Sequence, residues 1–204
     1  ETMRRVNQTR VPLEQVLGIM RPVTAALHYA HGQGIAHCDM KPANVMIKQN
    51  GDVFVADFGI ARLAESATTT MAGAGTPAYM APEQCRAEAV DVRTDIYALG
   101  ILLYEMVTGG ERPFVGEHAT TGSTSEKVRW EQLNAPPPSP REFNPALPPA
   151  VEQVIFKCLE KEPGSRYQST PDLWNALVTA TANIHGDAYS VPTIKAPPLG
   201  STLP

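Results

Sequence analysis

The chain has 204 residues, enough for one domain of ordinary size, and 43% of them are hydrophobic, as in globular proteins. A net charge of −4 with no basic block argues against nucleic acid as the main partner, and no apolar run approaches the ~18 residues of a membrane span. Three scattered cysteines, Cys38, Cys85 and Cys158, fit a reduced compartment better than a disulfide framework, so the expected location is the cytoplasm, or the cytoplasmic part of a membrane-anchored protein.

Residues 1–11 are polar and basic. Pro12 opens a helix, at a position where its missing N–H costs nothing. Val16, Ile19, Met20, Val23, Leu27 and Ala30 recur at helical spacing as a buried stripe, and Gly32 and Gly34 stop it. Pro22 lies inside this run. An interior proline costs about 3 kcal/mol or kinks a helix, so the helix is expected to bend or split near Met20. His28 and His31 stand three apart, but no carboxylate or cysteine completes a metal site. They read as solvated or core-edge histidines.

The segment His37-Cys38-Asp39-Met40-Lys41-Pro42-Ala43-Asn44 sits between two short apolar runs, Ile35-Ala36 and Val45-Met46-Ile47. Cys38 reads as a small residue filling a slot, because nothing in the sequence identifies a base or cations that would activate its thiol. Residues 47–53 form a hairpin, with Asn50-Gly51 as a type I′ turn pair. The returning strand, Val53-Phe54-Val55-Ala56, delivers Asp57-Phe58-Gly59 eighteen residues after Asp39. Such a hairpin puts Asn44 at one strand's start and Asp57 at the other's end, so both can face one metal ion.

Residues 60–83 carry Ser66, Thr68, Thr69 and Thr70, which read either as phosphoacceptors or as an ordinary polar loop. Met71-Ala72-Gly73-Ala74-Gly75 follows, and this Gly/Ala content predicts mobility. The segment closes with Gly75-Thr76-Pro77-Ala78-Tyr79-Met80-Ala81-Pro82-Glu83, and Pro82-Glu83 opens a short helix. Residues 95–106 are apolar nearly all round and end at Gly109-Gly110, the pattern of a buried central helix with Asp95 as a negative charge at its start. Residues 110–147 are loop-rich, with a short helix at 125–133, and residues 136–140 read as a stiff connector rather than a polyproline ligand. Val151, Val154, Ile155, Cys158 and Leu159 mark another amphipathic helix. Residues 169–171 cap a last one carrying Leu173, Trp174, Leu177 and Val178. From Asn183 onward there is no periodicity, and residues 196–200 read as a linker.

Three of these motifs, in this order, resemble a protein kinase: His-Cys-Asp-Met-Lys-Pro-Ala-Asn, then Asp-Phe-Gly, then Gly-Thr-Pro with Ala-Pro-Glu. The resemblance spans roughly residues 10–182 and is strongest to bacterial serine/threonine kinases of the eukaryotic-like type. It implies an α+β, mainly helical fold: a kinase C-lobe with short β-hairpins carrying the catalytic and metal loops. It implies ATP with Mg²⁺ (or Mn²⁺), and a protein substrate with a Ser or Thr acceptor, favoured by Lys41-Pro42 and Thr76. Phosphoryl transfer is largely positioning and charge neutralisation. The resemblance makes Asp39 the acceptor of the hydroxyl proton and aims Lys41 at the γ-phosphate. It makes Asn44 and Asp57 the hard oxygen ligands of the metal. Thr76 contacts Asp39 and Lys41 in this scheme. His37 braces the loop, Asp95 bonds its backbone, and Arg166 pairs with Glu83. Aminoglycoside-type phosphotransferases share His-x-Asp…Asn and a later Asp, but lack the Lys two residues after Asp and the Ala-Pro-Glu segment.

Two departures stand out. The family's usual Arg before the catalytic Asp is Cys38 here, which cannot pair with a phosphorylated loop. The family's smaller lobe, with its Gly-rich loop, strand Lys and helix Glu, has no counterpart in the 36 residues before His37. The expectation is a kinase C-lobe over 1–182 and a Pro-rich linker over 183–204, cut from a longer protein whose N-lobe is a partner in the same polypeptide. The alternative is a catalytically silent pseudokinase fragment or binding scaffold.

Overall fold

The computed structural model describes residues 10–58 and 77–182. Its first helix, α1 (Leu13–Gly32), buries the expected stripe together with Leu17 and Thr24. Pro22 does not split it: the helix is continuous. The backbone acceptor that Pro22 leaves without a donor belongs to Gly18, which is exposed, so water can satisfy it. Both halves of the stripe are fixed in the same core, which holds the helix together across the proline.

After α1 the chain crosses residues 33–41 and makes a 3₁₀ turn at Pro42–Asn44. Strand β1 (Val45–Ile47) then pairs antiparallel with β2 (Val53–Val55), in the register Val45↔Val55, Met46↔Phe54 and Ile47↔Val53. The turn between them differs from the expected type I′ pair. Gly51 N–H donates to Lys48 O (3.0 Å), Lys48 N–H donates to Asp52 O (2.8 Å), and in this loop only Gly51 has positive φ, 89°. That is a three-residue loop, a type I turn closed by a glycine bulge, with Asn50 kept in ordinary backbone space.

The remaining elements are α2 (Pro82–Cys85), α3 (Val92–Thr108), α4 (Thr124–Asn134), α5 (Pro140–Phe143), α6 (Pro149–Cys158) and α7 (Thr170–Thr181), with a 3₁₀ turn at Pro163–Ser165 between the last two. The region expected to be loop-rich thus holds two helices. Ser123 and Glu126 close a capping box on α4, and Ser139 caps α5. Helix α3 is the post of the domain, with every residue from Thr94 to Thr108 buried. Asp91 caps its start, and Gly109 ends it in the left-handed region at φ 85°. Helix α1 packs on α3, α7 and β2; α3 packs on α6; α6 packs on α7; α2 packs on α4. The fold is mainly helical with one small antiparallel hairpin among the described residues. No helix there is long and apolar enough to cross a membrane. The linker expected at 183–204 lies outside the described residues.

The α3–α6 crossing depends on one missing side chain. A Cβ built on Gly100 would sit 2.6 Å from Cys158 Cβ and 3.0 Å from Leu159 Cδ2. Gly18 of α1 has open space around it. The same substitution therefore has opposite signs at the two sites. Gly100→Ala is expected to lower unfolding free energy by about 1–3 kcal/mol through overpacking. Gly18→Ala is expected to raise it by about 0.5–1 kcal/mol through helix propensity. Urea denaturation of both variants checks this.

Candidate active site

The 37–44 loop is fixed by a carboxylate from another element. Asp95, in the first turn of α3, is fully buried. Its Oδ2 accepts from His37 N–H and its Oδ1 from Cys38 N–H, at 2.8 and 2.7 Å. The ring nitrogen Nε2 of His31, at the end of α1, donates to Oδ2 at 2.8 Å. A buried carboxylate is tolerated only when its lone pairs are used, and these three donors use them. Cys38 lies here with φ 60°, a left-handed conformation that non-glycine residues adopt at a cost of about 1–3 kcal/mol. The bond from Cys38 N–H to Asp95, and one from Gln84 Nε2–H to Cys38 O (2.8 Å), hold it there.

His37 is fully buried and works on both sides. Its Nε2–H donates to Ala56 O at 2.9 Å, which leaves Nδ1 to accept from Asp39 N–H at 3.3 Å. Its ring meets Phe58 edge-on at 4.8 Å. It thereby joins the loop to the end of β2 and to the residues around Asp57. A second tie runs beside it, from Ala56 N–H to Asn44 O at 2.9 Å.

Asp39, Lys41 and Asn44 come together within this frame. Lys41 Nζ donates to Asp39 Oδ2 at 2.6 Å, with both side chains partly exposed. Asn44 is buried, and its Nδ2 donates to Asp39 O (2.8 Å) and, more weakly, to Asp39 Oδ2 (3.4 Å). The amide hydrogens are thus used on Asp39, and the amide oxygen Oδ1 remains the group a cation would take. Asp57 follows β2, is exposed, and has φ 60°. Two non-glycine residues in left-handed backbone, Cys38 and Asp57, mark the two ends of the site. Among the described residues no cluster of three or more His, Cys, Asp or Glu could hold a metal ion. Thr76, Ser66, Thr68, Thr69, Thr70 and the Gly59 of Asp-Phe-Gly lie outside the described residues.

Glu83 and Arg166 meet in the interior as a two-pronged pair, Nη1–Oε1 and Nη2–Oε2 both at 2.8 Å. Thr94 Oγ–H adds a bond to Oε1 at 2.8 Å. Arg166 spends its other donors on Glu160 O, Arg93 O and Lys161 O, so all five N–H groups are used. Its guanidinium also lies 4.8 Å from the centre of the Tyr97 ring. Gln84 and Gln132 carried no warning in the sequence, the latter binding the backbone next to the loop end, and His31, expected as a solvated or core-edge histidine, gave no sign of its partner Asp95. Each is a polar side chain on a helix whose partner lies far away in sequence, and local pattern does not show such pairs.

Burial by itself would push the Glu83 carboxyl up; the hydrogen bonds and charge of Arg166, helped by Thr94, more than offset this and hold it below the ordinary 4.5. A carboxylate whose pKa is depressed in the folded state contributes stability that is full above its unfolded value and is lost as pH falls through the lower folded value. The wild type is therefore expected to lose stability below about pH 4.5 more steeply than a Glu83→Gln/Arg166→Met double variant. Near pH 7, Arg166→Ala is expected to cost about 3–5 kcal/mol, since it leaves a buried charge unpaired. The exposed Arg141→Ala is expected to stay within about 0.5 kcal/mol of wild type. Denaturation across pH checks all three expectations.

Comparison with known proteins identifies the family. The model of the protein kinase domain matches residues 1–176. The chain is 41% identical over 165 residues to a probable serine/threonine-protein kinase of Streptomyces coelicolor, covering 79% of this chain and 23% of the relative. It is 37% identical over 198 residues to the serine/threonine-protein kinase PknB of Mycolicibacterium smegmatis, covering 94% and 31%. It is 37% identical over 169 residues to the serine/threonine-protein kinase PrkC of Bacillus subtilis, covering 82% and 25%. The chain spans less than a third of the length of each of these relatives. The family match over most of the chain, with the mainly helical fold and its single hairpin, establishes that the chain belongs to the protein kinase family, on the side of the bacterial serine/threonine kinases.

Proposed function

We propose that the full-length protein transfers the γ-phosphoryl group of ATP to Ser or Thr hydroxyls of proteins, and that this chain is its catalytic C-lobe. The observation that carries the reading is the convergence of Asp39, Lys41 and Asn44, braced by His37 and Asp95. Asp39 Oδ2 is held by Lys41 and Asn44, while Oδ1 has no hydrogen-bond partner among the described residues. Oδ1 is the oxygen left to accept the proton of the attacking hydroxyl. Lys41, with its ammonium already at Asp39, supplies positive charge where the acceptor and the transferred group meet. The hard oxygens of Asn44 and Asp57 suit Mg²⁺ or Mn²⁺ and would hold it, with water and phosphate filling the other positions. When bound, Mg²⁺ and ATP supply the phosphoryl group and neutralise its charge. Thr76, immediately before the described Pro77, is the residue that would border the acceptor pocket.

The 204 residues carry no Gly-rich loop followed by a strand Lys. Clamping of ATP is therefore assigned to another part of the full-length protein, and the 204-residue chain alone is expected to be nearly inactive. Positioning of reactants is worth about 7–11 kcal/mol of barrier, so its loss silences a site whose residues are intact. The rival reading, a silent scaffold, predicts instead that the quartet Asp39, Lys41, Asn44 and Asp57 has no chemical task.

In the full-length protein, Asp39→Asn is expected to reduce turnover on a Ser/Thr peptide by about 10²–10⁴-fold with little change in the KM for ATP. Phosphate incorporation from labelled ATP measures this. Turnover equal to wild type would refute Asp39 as the proton acceptor, and no turnover by the wild type itself would favour the scaffold.

A further inference from the structure

Gln132 is fully buried at the end of α4, where a polar side chain needs a reason to be. Its Nε2 donates to two consecutive backbone carbonyls, Pro77 O (3.3 Å) and Ala78 O (3.0 Å). Its Oε1 accepts from the hydroxyl of Tyr97, a fully buried residue of α3. The Tyr97 ring in turn lies against the Arg166 guanidinium, which grips Glu83. One chain of contacts therefore holds both ends of the Pro77–Glu83 segment against α3: Glu83 through Arg166, and Pro77-Ala78 through Gln132. Pro77 directly follows Thr76. None of these contacts involves Asp57, Asn44 or Lys41.

We propose that Gln132, held by Tyr97, is a positioning residue for the protein substrate: it fixes the backbone just after Thr76, and so sets how well the acceptor peptide is bound, without acting on the nucleotide. This rests on the kinase reading above. The amide geometry makes a sharp demand. Only a side chain with a two-hydrogen donor and an acceptor on one plane serves both carbonyls and the Tyr97 hydroxyl. The substitution Gln132→Glu would turn a carboxylate oxygen toward the two carbonyls, and Gln132→Leu would leave Ala78 O and the Tyr97 hydroxyl unpaired, with Pro77 O keeping only the Met80 N–H (3.2 Å).

The test uses the full-length protein with Gln132→Leu, and Tyr97→Phe as the milder variant, which removes only a hydroxyl. Two readouts are taken. Hydrogen exchange of the amides of residues 78–81 reports the positioning with no need for turnover, and is expected to quicken in both variants, more in Gln132→Leu. Steady-state kinetics reports the consequence: the KM for a Ser/Thr peptide is expected to rise about tenfold in Gln132→Leu, the loss expected for a buried hydrogen-bond network, with the KM for ATP within about twofold of wild type. Unchanged exchange at residues 78–81 in both variants overturns the proposal, whatever the activity. A parallel rise in both KM values also overturns it, because it means that Gln132 supports the fold at large. A wild type without peptide phosphorylation refutes the kinase reading and the substrate half of this inference, while the exchange result still decides the positioning half.

Discussion

A carboxylate sealed from water organises the site. Asp95 sits near the start of a helix buried from Thr94 to Thr108, and its two oxygens take hydrogen bonds from His37 N–H, Cys38 N–H and His31. The dependence is two-sided. The helix can bury a charge only because the loop and α1 supply donors, and the loop can hold Cys38 in left-handed backbone only because that charge draws two successive N–H groups together. Everything proposed for Asp39, Lys41 and Asn44 depends on the loop keeping that path. Had Asp95 been replaced by an apolar residue, the quartet would remain in the sequence and its geometry would not follow.

A second buried charge does the same for the segment that ends at Glu83. The Glu83–Arg166 pair is fully satisfied, with all five guanidinium hydrogens placed. Charged groups so deep repay their desolvation only under such conditions. Both networks terminate on α3, one through Asp95 and one through Thr94 and Tyr97. Adjacent residues of one rigid helix, Thr94 and Asp95, thus fix the 37–44 loop and the Ala-Pro-Glu segment in one frame. Gln84 completes it by reaching from α2 to Cys38 O. The position that carries Arg in much of the family is here a cysteine locked by its own backbone bonds on both sides, so the path of the loop does not rely on a cationic side chain.

What was legible in the sequence follows a physical rule. Helices α1, α6 and α7 bury apolar residues at a regular period and α3 is apolar nearly all round, and both patterns can be read in one sequence. The Asp39–Asn44 cluster lies within six residues, so spacing brings it together. The hairpin turn was misread because Asn-Gly suits two turns. In both, the glycine takes positive φ, and the choice rests on whether Asn50 is the first or second residue after the last strand pair, a matter of register that composition does not reveal. The proline in α1 suggested a break because the cost of a lost hydrogen bond is local, while the packing that offsets it is not. Asp95 and Arg166 were placed through resemblance to a family, since a buried charge and its donors 57 or 83 positions apart leave no trace in local pattern. Gln84, Gln132 and the partner of His31 were missed for that same reason.

On the function proposed above, this chain supplies the catalytic part of a nucleotide site, and the grip on ATP comes from another part of the full-length protein. Isothermal calorimetry of Mg²⁺-ATP binding, run on the full-length protein and on the 204-residue chain under the same conditions, addresses it directly. The account predicts saturable heat for the full-length protein and none for the short chain. Binding of equal affinity by the short chain would contradict the need for a second lobe, and absence of binding by both would contradict the kinase reading itself.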